Sequence, residues 1–275
     1  MKISNAILHF GEEPPLVEEG GSGAIFFSGC PMKCTYCQNM GFSQRGIGVE
    51  ISEEELAFIM LKLQEAGAQN INLVTATHYI PQILKALETA ALEGLKLPIV
   101  WNTSGYEDPN ILKPLEGVVD IYLTDIRYTE DTVGKKYSKV PNYWSVTKEA
   151  IKEMFRQVGA FNGEKGVIVR ILIFPNKITD HKKALLFIAN ELSKEVPVSI
   201  MRQYMPVFGA KKDPKINRGV TDEEFEEILS FAEILNLEGW YQLDETKIVP
   251  TKAVSEIFEF LKRKLISNQA YKKLL

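Results

Sequence analysis

Six times along this chain a short apolar or β-branched run gives way to turn residues and then to an apolar stripe at helical spacing. The runs are Ala24 to Ser28, Ile71 to Thr75, Pro98 to Trp101, Val119 to Thr124, Gly166 to Ile173 and Val196 to Met201. Strands separated in this way by helices are expected to lie parallel, joined by right-handed crossovers. The helix signals keep the same rhythm. Ser52 with Glu55 three residues on reads as a capping box, Leu56, Ile59, Met60 and Leu63 recur at helical spacing, and Gly67 ends the run. Ile83, Leu84 and Leu87 before Gly94 mark a second helix, Asp108 and Pro109 open a short one, and Val146, Ala150, Ile151, Met154 and Phe155 mark another. Thr179 is placed to cap the next, and Thr221 with Glu224 makes a second capping box. An open doubly wound sheet and a barrel both fit this α/β pattern. Six units are fewer than the eight of a full barrel, so a partial (β/α)6 barrel of the TIM type, with parallel strands, is expected.

In either architecture a ligand site lies at the C-terminal ends of the strands. The chain places its longest connections there: Gly29 to Ile51, Asp125 to Trp144 and Arg202 to Val220. Each is about 20 residues, and connections above ~12–15 residues without structure of their own are usually functional or disordered. From about Tyr241 the rhythm breaks. Thr251 is placed to cap a last helix bearing Val254, Ile257, Phe258, Leu261 and Leu265. The expected organisation is a barrel domain over residues 1–240 and a helical extension over 241–275 packed on it.

A chain of 275 residues can bury a sizeable core without disulfides to staple it. Its net charge of −4 gives no global electrostatic case for nucleic acid or an anionic membrane. No apolar run approaches the ~20 residues needed to span a bilayer. Met1 to Phe10 has one lysine and no long apolar core, so no secretory signal is expected and the cytoplasm is the expected compartment.

The three cysteines of the chain all fall within eight residues, at Cys30, Cys34 and Cys37. An odd number crowded together in a cytoplasmic chain argues against a disulfide framework and for a metal or redox site. The segment Ile25 to Asn39 reads IFFSGCPMKCTYCQN, so a strand delivers the chain to Gly29 and a Cys-x3-Cys-x2-Cys loop follows. Thiolates at such spacing suit an iron-sulfur cluster or zinc. Structural zinc needs a fourth ligand, for which His9, His78 and His181 are the candidates. A cluster of four irons held by three cysteines leaves one iron open to a small molecule.

This loop, with an aromatic residue before its third cysteine, resembles the signature of the radical S-adenosylmethionine superfamily. Further phrases, GSGAIFFSGC, CQN, NINLVTATHYIPQIL, NTSGYE, VDIYLTDIRY and INRGVT, are similar to proteins related to pyruvate formate-lyase activating enzyme, from about Gly11 to Leu237. The resemblance implies a 4Fe-4S cluster on Cys30, Cys34 and Cys37, with S-adenosylmethionine chelated to the open iron. One electron then cleaves the sulfonium, and the resulting 5′-deoxyadenosyl radical abstracts hydrogen from a substrate. It implies an electron donor such as flavodoxin or ferredoxin. A partner protein supplying a glycine is the first expected substrate, and a small molecule or another peptide side chain is the second. A non-catalytic iron-sulfur or zinc protein is the third reading. With all three cysteines engaged, no auxiliary cluster on cysteine ligands is expected.

The resemblance also places cofactor contacts. Tyr36 is expected beside the adenine. Many relatives carry a Gly-Gly-Glu-like segment after the second strand; this chain reads Thr75-Ala76-Thr77-His78 there, so Thr75 and Thr77 are the expected acceptors for the amino group of S-adenosylmethionine. His78 stays open between proton donor, substrate contact and helix cap. Asn102 and Ser104, in Asn102-Thr103-Ser104-Gly105, are expected near the ribose and carboxylate, though such residues also form turns. Asp125 ends the fourth strand as a site candidate or as a salt-bridge partner of Arg127 or Arg170. Arg170, inside the apolar run Val167 to Phe174, must be paired, and the resemblance assigns it to the cofactor carboxylate. Gln203 and Tyr204 are candidates for adenine or substrate contacts. Two long connections are basic, with Lys135, Lys136 and Lys139 in one and Lys211, Lys212, Lys215 and Arg218 in the other; both solvation and guidance of an acidic partner are open.

Overall fold

A computed structural model of the chain describes residues 1–17, 19–242 and 252–267. The chain divides into two compact units. The first takes Met1–Cys30, Met40–Asn102 and the helix Lys252–Ser267; the second takes Pro31–Asn39 and the chain from Thr103 onward through residue 242.

In the first unit, β1 (Lys2–His9), β2 (Ser22–Phe27), β3 (Val49–Glu50), β4 (Ile71–Val74) and β5 (Ile99–Thr103) lie in the order β3-β1-β2-β4-β5. β2, β4 and β5 run parallel and in step, so that Ile25, Leu73 and Trp101 stand side by side. These are the first three strands expected from the sequence. β1 pairs antiparallel with both β2 and β3 and was not expected, because a register break at Ile3/Asn5 disturbs its alternation. Side chains alternate along a strand. Ile25, Leu73 and Trp101, all fully buried, therefore share one face, and the helix Glu53–Glu65 packs on β2 and β4. Ser22, Asn72 and Asn102 share the other.

That helix forms for the reasons its sequence gives. Ser52 Oγ accepts from Glu55 N at 3.2 Å, and the Glu55 carboxylate accepts from Ser52 N at 2.9 Å. Glu53, Glu54 and Glu55 suit the positive end of the helix dipole. Leu56, Ile59, Met60 and Leu63 are all fully buried, each contributing about 1.5–3 kcal/mol. The helix Lys252–Ser267 packs against it. Ile257 and Leu261 are buried, Lys62 pairs with Glu256 at 3.3 Å, and Lys264 pairs with Glu55. The expected cap at Thr251 and the side chains of Val254, Phe258 and Leu265 lie outside the described residues.

In the second unit, β6 (Ile121–Asp125), β7 (Gly166–Leu172), β8 (Val198–Met201) and β9 (Gly239–Gln242) follow one another in parallel. β6 to β8 are the last three expected strands. β9 was not expected, since its four residues are half-buried or exposed and carry no apolar run. The connection Asp125 to Trp144 contains a helix of its own, Asp131–Ser138. The Thr221–Glu224 capping box is present, at 3.0 and 3.3 Å. Thr179 is not a cap: Asp180 accepts from Lys183 N, while Thr179 Oγ1 donates to Glu130 at 2.6 Å. Two oxygens competed for one helix end, and the carboxylate won because Glu130 offers the hydroxyl a better acceptor.

His181 opens the helix His181–Phe187, stacked on Phe174 and only 5% exposed. Burial pulls it down from 6.5 to about 4, only partly offset by its bond to the Leu172 carbonyl. The native state therefore resists protonation that the unfolded chain accepts. Stability from this group is full above about pH 6.5 and is lost as pH falls through about 4, a loss of roughly 3 kcal/mol. In chemical unfolding from pH 7 to 4, His181→Gln is expected to flatten the profile by this amount; an unchanged profile would show that His181 titrates normally.

Candidate functional site

In the first unit, β2 ends in the turn Ser28-Gly29-Cys30. Gly29 has φ +98°, and a Cβ there would lie 3.0 Å from the His78 ring, so only glycine fits. His78 Nε2 donates to the Ser28 carbonyl at 2.8 Å, and Ser28 Oγ donates to Ile47 O at 2.7 Å. His78 therefore clamps the turn that delivers Cys30. It is not a cap; the Tyr79 cap position makes no side-chain bond.

Thr75 follows β4 with φ +57°, a left-handed conformation costly for a β-branched residue. Its N–H donates to the Asn102 carbonyl at 2.9 Å. Such strain at a strand end persists only where the surroundings impose it. Thr75→Gly is expected to raise stability by about 1 kcal/mol while weakening S-adenosylmethionine binding. Equilibrium unfolding with a parallel binding titration measures both; unchanged binding would make Thr75 structural only. Thr77 lies in the single turn Thr77–Tyr79 that follows.

The polar strand face holds a residue that the sequence did not single out. Glu12 Oε2 accepts from Asn72 Nδ2 at 2.9 Å and from Asn102 Nδ2 at 3.1 Å. Asn72 also donates to Ser22 Oγ at 3.1 Å, and Ser22 donates to Asn70 Oδ1 at 2.6 Å. The fully buried Asn72 keeps its Oδ1 without a hydrogen-bond partner among the described residues.

In the second unit, the cysteine loop is tied to the end of the helix Asp131–Ser138 by Lys33 N to Ser138 O and Thr35 N to Tyr137 O, both 2.8 Å. Cys34 is buried, its Sγ 3.0 Å from Ser138 Oγ and 3.6 Å from Arg127 Nη1. Cys37 N donates to the Cys34 carbonyl at 3.2 Å. Ser138 continues to Tyr128 OH at 2.8 Å and Tyr128 to Tyr36 OH at 2.5 Å. The Tyr36 ring packs edge-on to Phe174 and Tyr204 at 5.0 and 5.7 Å. Burial, and then the Cys34 sulfur, push the Tyr36 hydroxyl far above its ordinary range, so it stays neutral.

Behind the loop, Asp125 stands directly opposite Arg170 across β6 and β7. Its Oδ1 accepts from Arg170 Nε and its Oδ2 from Arg127 Nη2, both at 2.8 Å. Both salt bridges anticipated for Asp125 are thus made. Burial opposes the Arg127 charge, but Asp125 and then the Cys34 sulfur outweigh it and hold the guanidinium well above its ordinary value. Tyr143 OH accepts from Arg127 N at 2.9 Å and donates to the Ser104 carbonyl at 3.0 Å. Gly105, at φ +77°, lets that turn pass the Asp125 carbonyl, where a Cβ would approach to 2.4 Å. Gln203 is apart from this group: exposed, it donates to Gln242 at 2.8 Å.

The donor set fits an iron-sulfur group. The three cysteines form no disulfide, and beside Cys34 two buried polar atoms, Thr35 Oγ1 and Arg127 Nε, have no hydrogen-bond partner among the described residues. Hydroxyl and guanidinium donors around a buried sulfur suit the negative charge that a thiolate-bound cluster carries. Among the described residues no three His, Cys, Asp or Glu side chains gather as one metal ion requires; a four-iron cluster instead spreads three thiolates over three irons.

The radical SAM superfamily profile matches residues 24–188, from within β2 to just beyond the His181–Phe187 helix. The chain belongs to the radical S-adenosylmethionine superfamily, whose members are enzymes that use a 4Fe-4S cluster and S-adenosylmethionine. It is 35% identical over 249 residues to "Uncharacterized protein MJ0674" of Methanocaldococcus jannaschii, covering 86% of this chain and 69% of that one. Among solved structures it is similar to HydG, a maturase of the FeFe-hydrogenase, with TM-score 0.55 and 15% identity over 84% of this chain. The chain spans only 52% of the HydG length. Native anSMEcpe with bound AdoMet gives TM-score 0.53 and 12% identity, covering 78% of this chain and 62% of that one. These two likenesses bear on the fold, and they bear out the expected α/β class of a partial barrel. Among the described residues no helix is long and apolar enough to cross a membrane.

Proposed function

We propose that Cys30, Cys34 and Cys37 hold the 4Fe-4S cluster and that the protein abstracts hydrogen from a glycine of a partner protein. The observation that carries the first part is the Cys-x3-Cys-x2-Cys loop at the end of β2, inside the matched family region. When bound, the cluster and S-adenosylmethionine supply the one-electron cleavage and the hydrogen-abstracting radical. The chain's own residues do the positioning. Ser138 and Arg127 hold the Cys34 sulfur in place, and Tyr36 anchors the loop through Tyr128. Asp125 fixes Arg127 and Arg170 and offsets their charge. Thr75, Thr77, Asn102 and Ser104 are assigned to the cofactor by family resemblance, as is Arg170, and Gln203 is assigned to adenine or substrate by its place after β8.

The glycine reading rests on the similarity of the NINLVTATHYIPQIL and VDIYLTDIRY phrases to activating-enzyme relatives. A small polar substrate is the second reading, favoured by Glu12 fixed on Asn72 and Asn102. Isotope transfer separates the two. Protein and small-molecule fractions are prepared from host cells grown on fully deuterated glycine, then offered separately to the reduced enzyme. Deuterium in 5′-deoxyadenosine from the protein fraction supports the glycine reading. Stimulated 5′-deoxyadenosine formation with the small-molecule fraction alone overturns it in favour of the second.

A further inference from the structure

We propose that the lysine-rich rim around the cysteine loop of the second unit is the docking surface for an acidic one-electron carrier protein. The inference rests on the radical SAM reading above.

Three segments make the rim. The cysteine loop is bonded to the end of the helix Asp131–Ser138 at Lys33 and Thr35. Gly209 packs on the loop from the other flank, where an added Cβ would sit 3.3 Å from the Thr35 carbonyl. Lys136 joins the two flanks through Asp213 at 3.0 Å. Over residues 31–39, 135–139 and 205–215 the chain carries seven lysines and a single acidic residue, Asp213. All seven lysines are exposed. The whole chain has 32 basic and 36 acidic side chains, so this excess is local and not a consequence of composition.

A solvated charge run needs no apolar centre, and this rim has one. Met205 and Phe208 are 51% and 47% exposed. Phe208 also has φ +47°, a left-handed conformation that a bulky residue adopts only when the surroundings impose it. Two large apolar side chains left exposed in a lysine-rich segment offer a partner an apolar anchor that a merely solvated charge run lacks.

The chemistry selects the occupant. Each reductive cleavage takes one electron. The three cysteines of the chain are all spent on one cluster, so the chain has no cysteine left for a second one to store that electron. The electron arrives from another molecule, whose redox centre must come close to the loop. In that step the carrier is oxidised by one electron and the enzyme is reduced by one, with no bond made or broken between them. A rim of lysines steers and orients an acidic carrier and repels a basic one.

The probe is a bacterial flavodoxin, which is acidic, titrated against the anaerobically reconstituted full chain. Binding is followed by flavin fluorescence at low salt and at 0.3 M salt. Wild type is expected to bind, with affinity falling at least tenfold on adding salt. The triple variant Lys135→Glu, Lys211→Glu, Lys212→Glu is expected to bind more than tenfold more weakly, and Phe208→Ala several-fold more weakly. With dithionite as reductant, 5′-deoxyadenosine formation should be the same in all three proteins; with flavodoxin hydroquinone it should fall in both variants. Flavodoxin that ignores the wild type, or binds the triple variant equally well, overturns the proposal. A dithionite-driven rate that falls with the flavodoxin-driven rate also overturns it, because the lysines then serve the loop and not docking. No 5′-deoxyadenosine from wild type with dithionite is the separate failure of the radical SAM reading; the binding arm still decides whether the rim docks the carrier.

Discussion

Replacing Cys34 with alanine is expected to lower bound iron from about four per chain to below about one, and 5′-deoxyadenosine formation to background. Cys34 is the most buried of the three cysteines, its sulfur held between the Ser138 hydroxyl at 3.0 Å and the Arg127 guanidinium at 3.6 Å. Removing one of three thiolates leaves two irons without protein ligands, and the remaining two-point attachment cannot hold the cluster. The loop itself should survive, because its backbone bonds to Tyr137 and Ser138 do not involve the thiol. The far-ultraviolet circular dichroism of the variant is therefore expected to match wild type while iron and sulfide are lost. Ser138→Ala keeps the thiol and should retain most of the iron. Iron content unchanged in Cys34→Ala would remove this cysteine from the ligand set.

Replacing Asp125 with alanine is expected to destabilise the protein by about 3–5 kcal/mol, the usual cost of stranding a buried charge. The side chains of Arg170 and Arg127 are only 14% and 25% exposed, and the Asp125 carboxylate bridges them with two bonds of 2.8 Å. Without it, two guanidinium groups repel each other at the ends of β6 and β7, where neither can turn fully to water. For a chain of this size the melting temperature should fall by roughly 10 °C. Asp125→Asn keeps the volume and one acceptor and should cost less than the alanine. Denaturant unfolding of both variants measures this. A loss below about 1 kcal/mol for the alanine would mean that other groups compensate the two arginines.

The sequence carried much of this. Parallel strands announce themselves as short apolar runs between helical stripes, and β2, β4, β5, β6, β7 and β8 fell where such runs were found. Both capping boxes are local devices, written within four residues, and both are present. β1, β3 and β9 escaped because short or interrupted strands are made by their neighbours rather than by their own pattern. The same distinction divides the site. Three cysteines in eight residues are legible as a string. The bond from Cys34 to Ser138 spans 104 residues, that from Asn102 to Glu12 spans 90 and the His78 clamp on Ser28 spans 50. No periodicity or spacing encodes such pairs. A buried asparagine on each of two adjacent strands, Asn72 and Asn102, was the one available sign that an acceptor such as Glu12 had to lie nearby.

The most direct test of the central claim is to reconstitute the wild-type protein anaerobically with iron and sulfide, reduce it with dithionite in the presence of S-adenosylmethionine, and measure 5′-deoxyadenosine. The account predicts its formation, dependent on both the cluster and the reductant. A protein that takes up zinc in place of iron and forms no 5′-deoxyadenosine would contradict it.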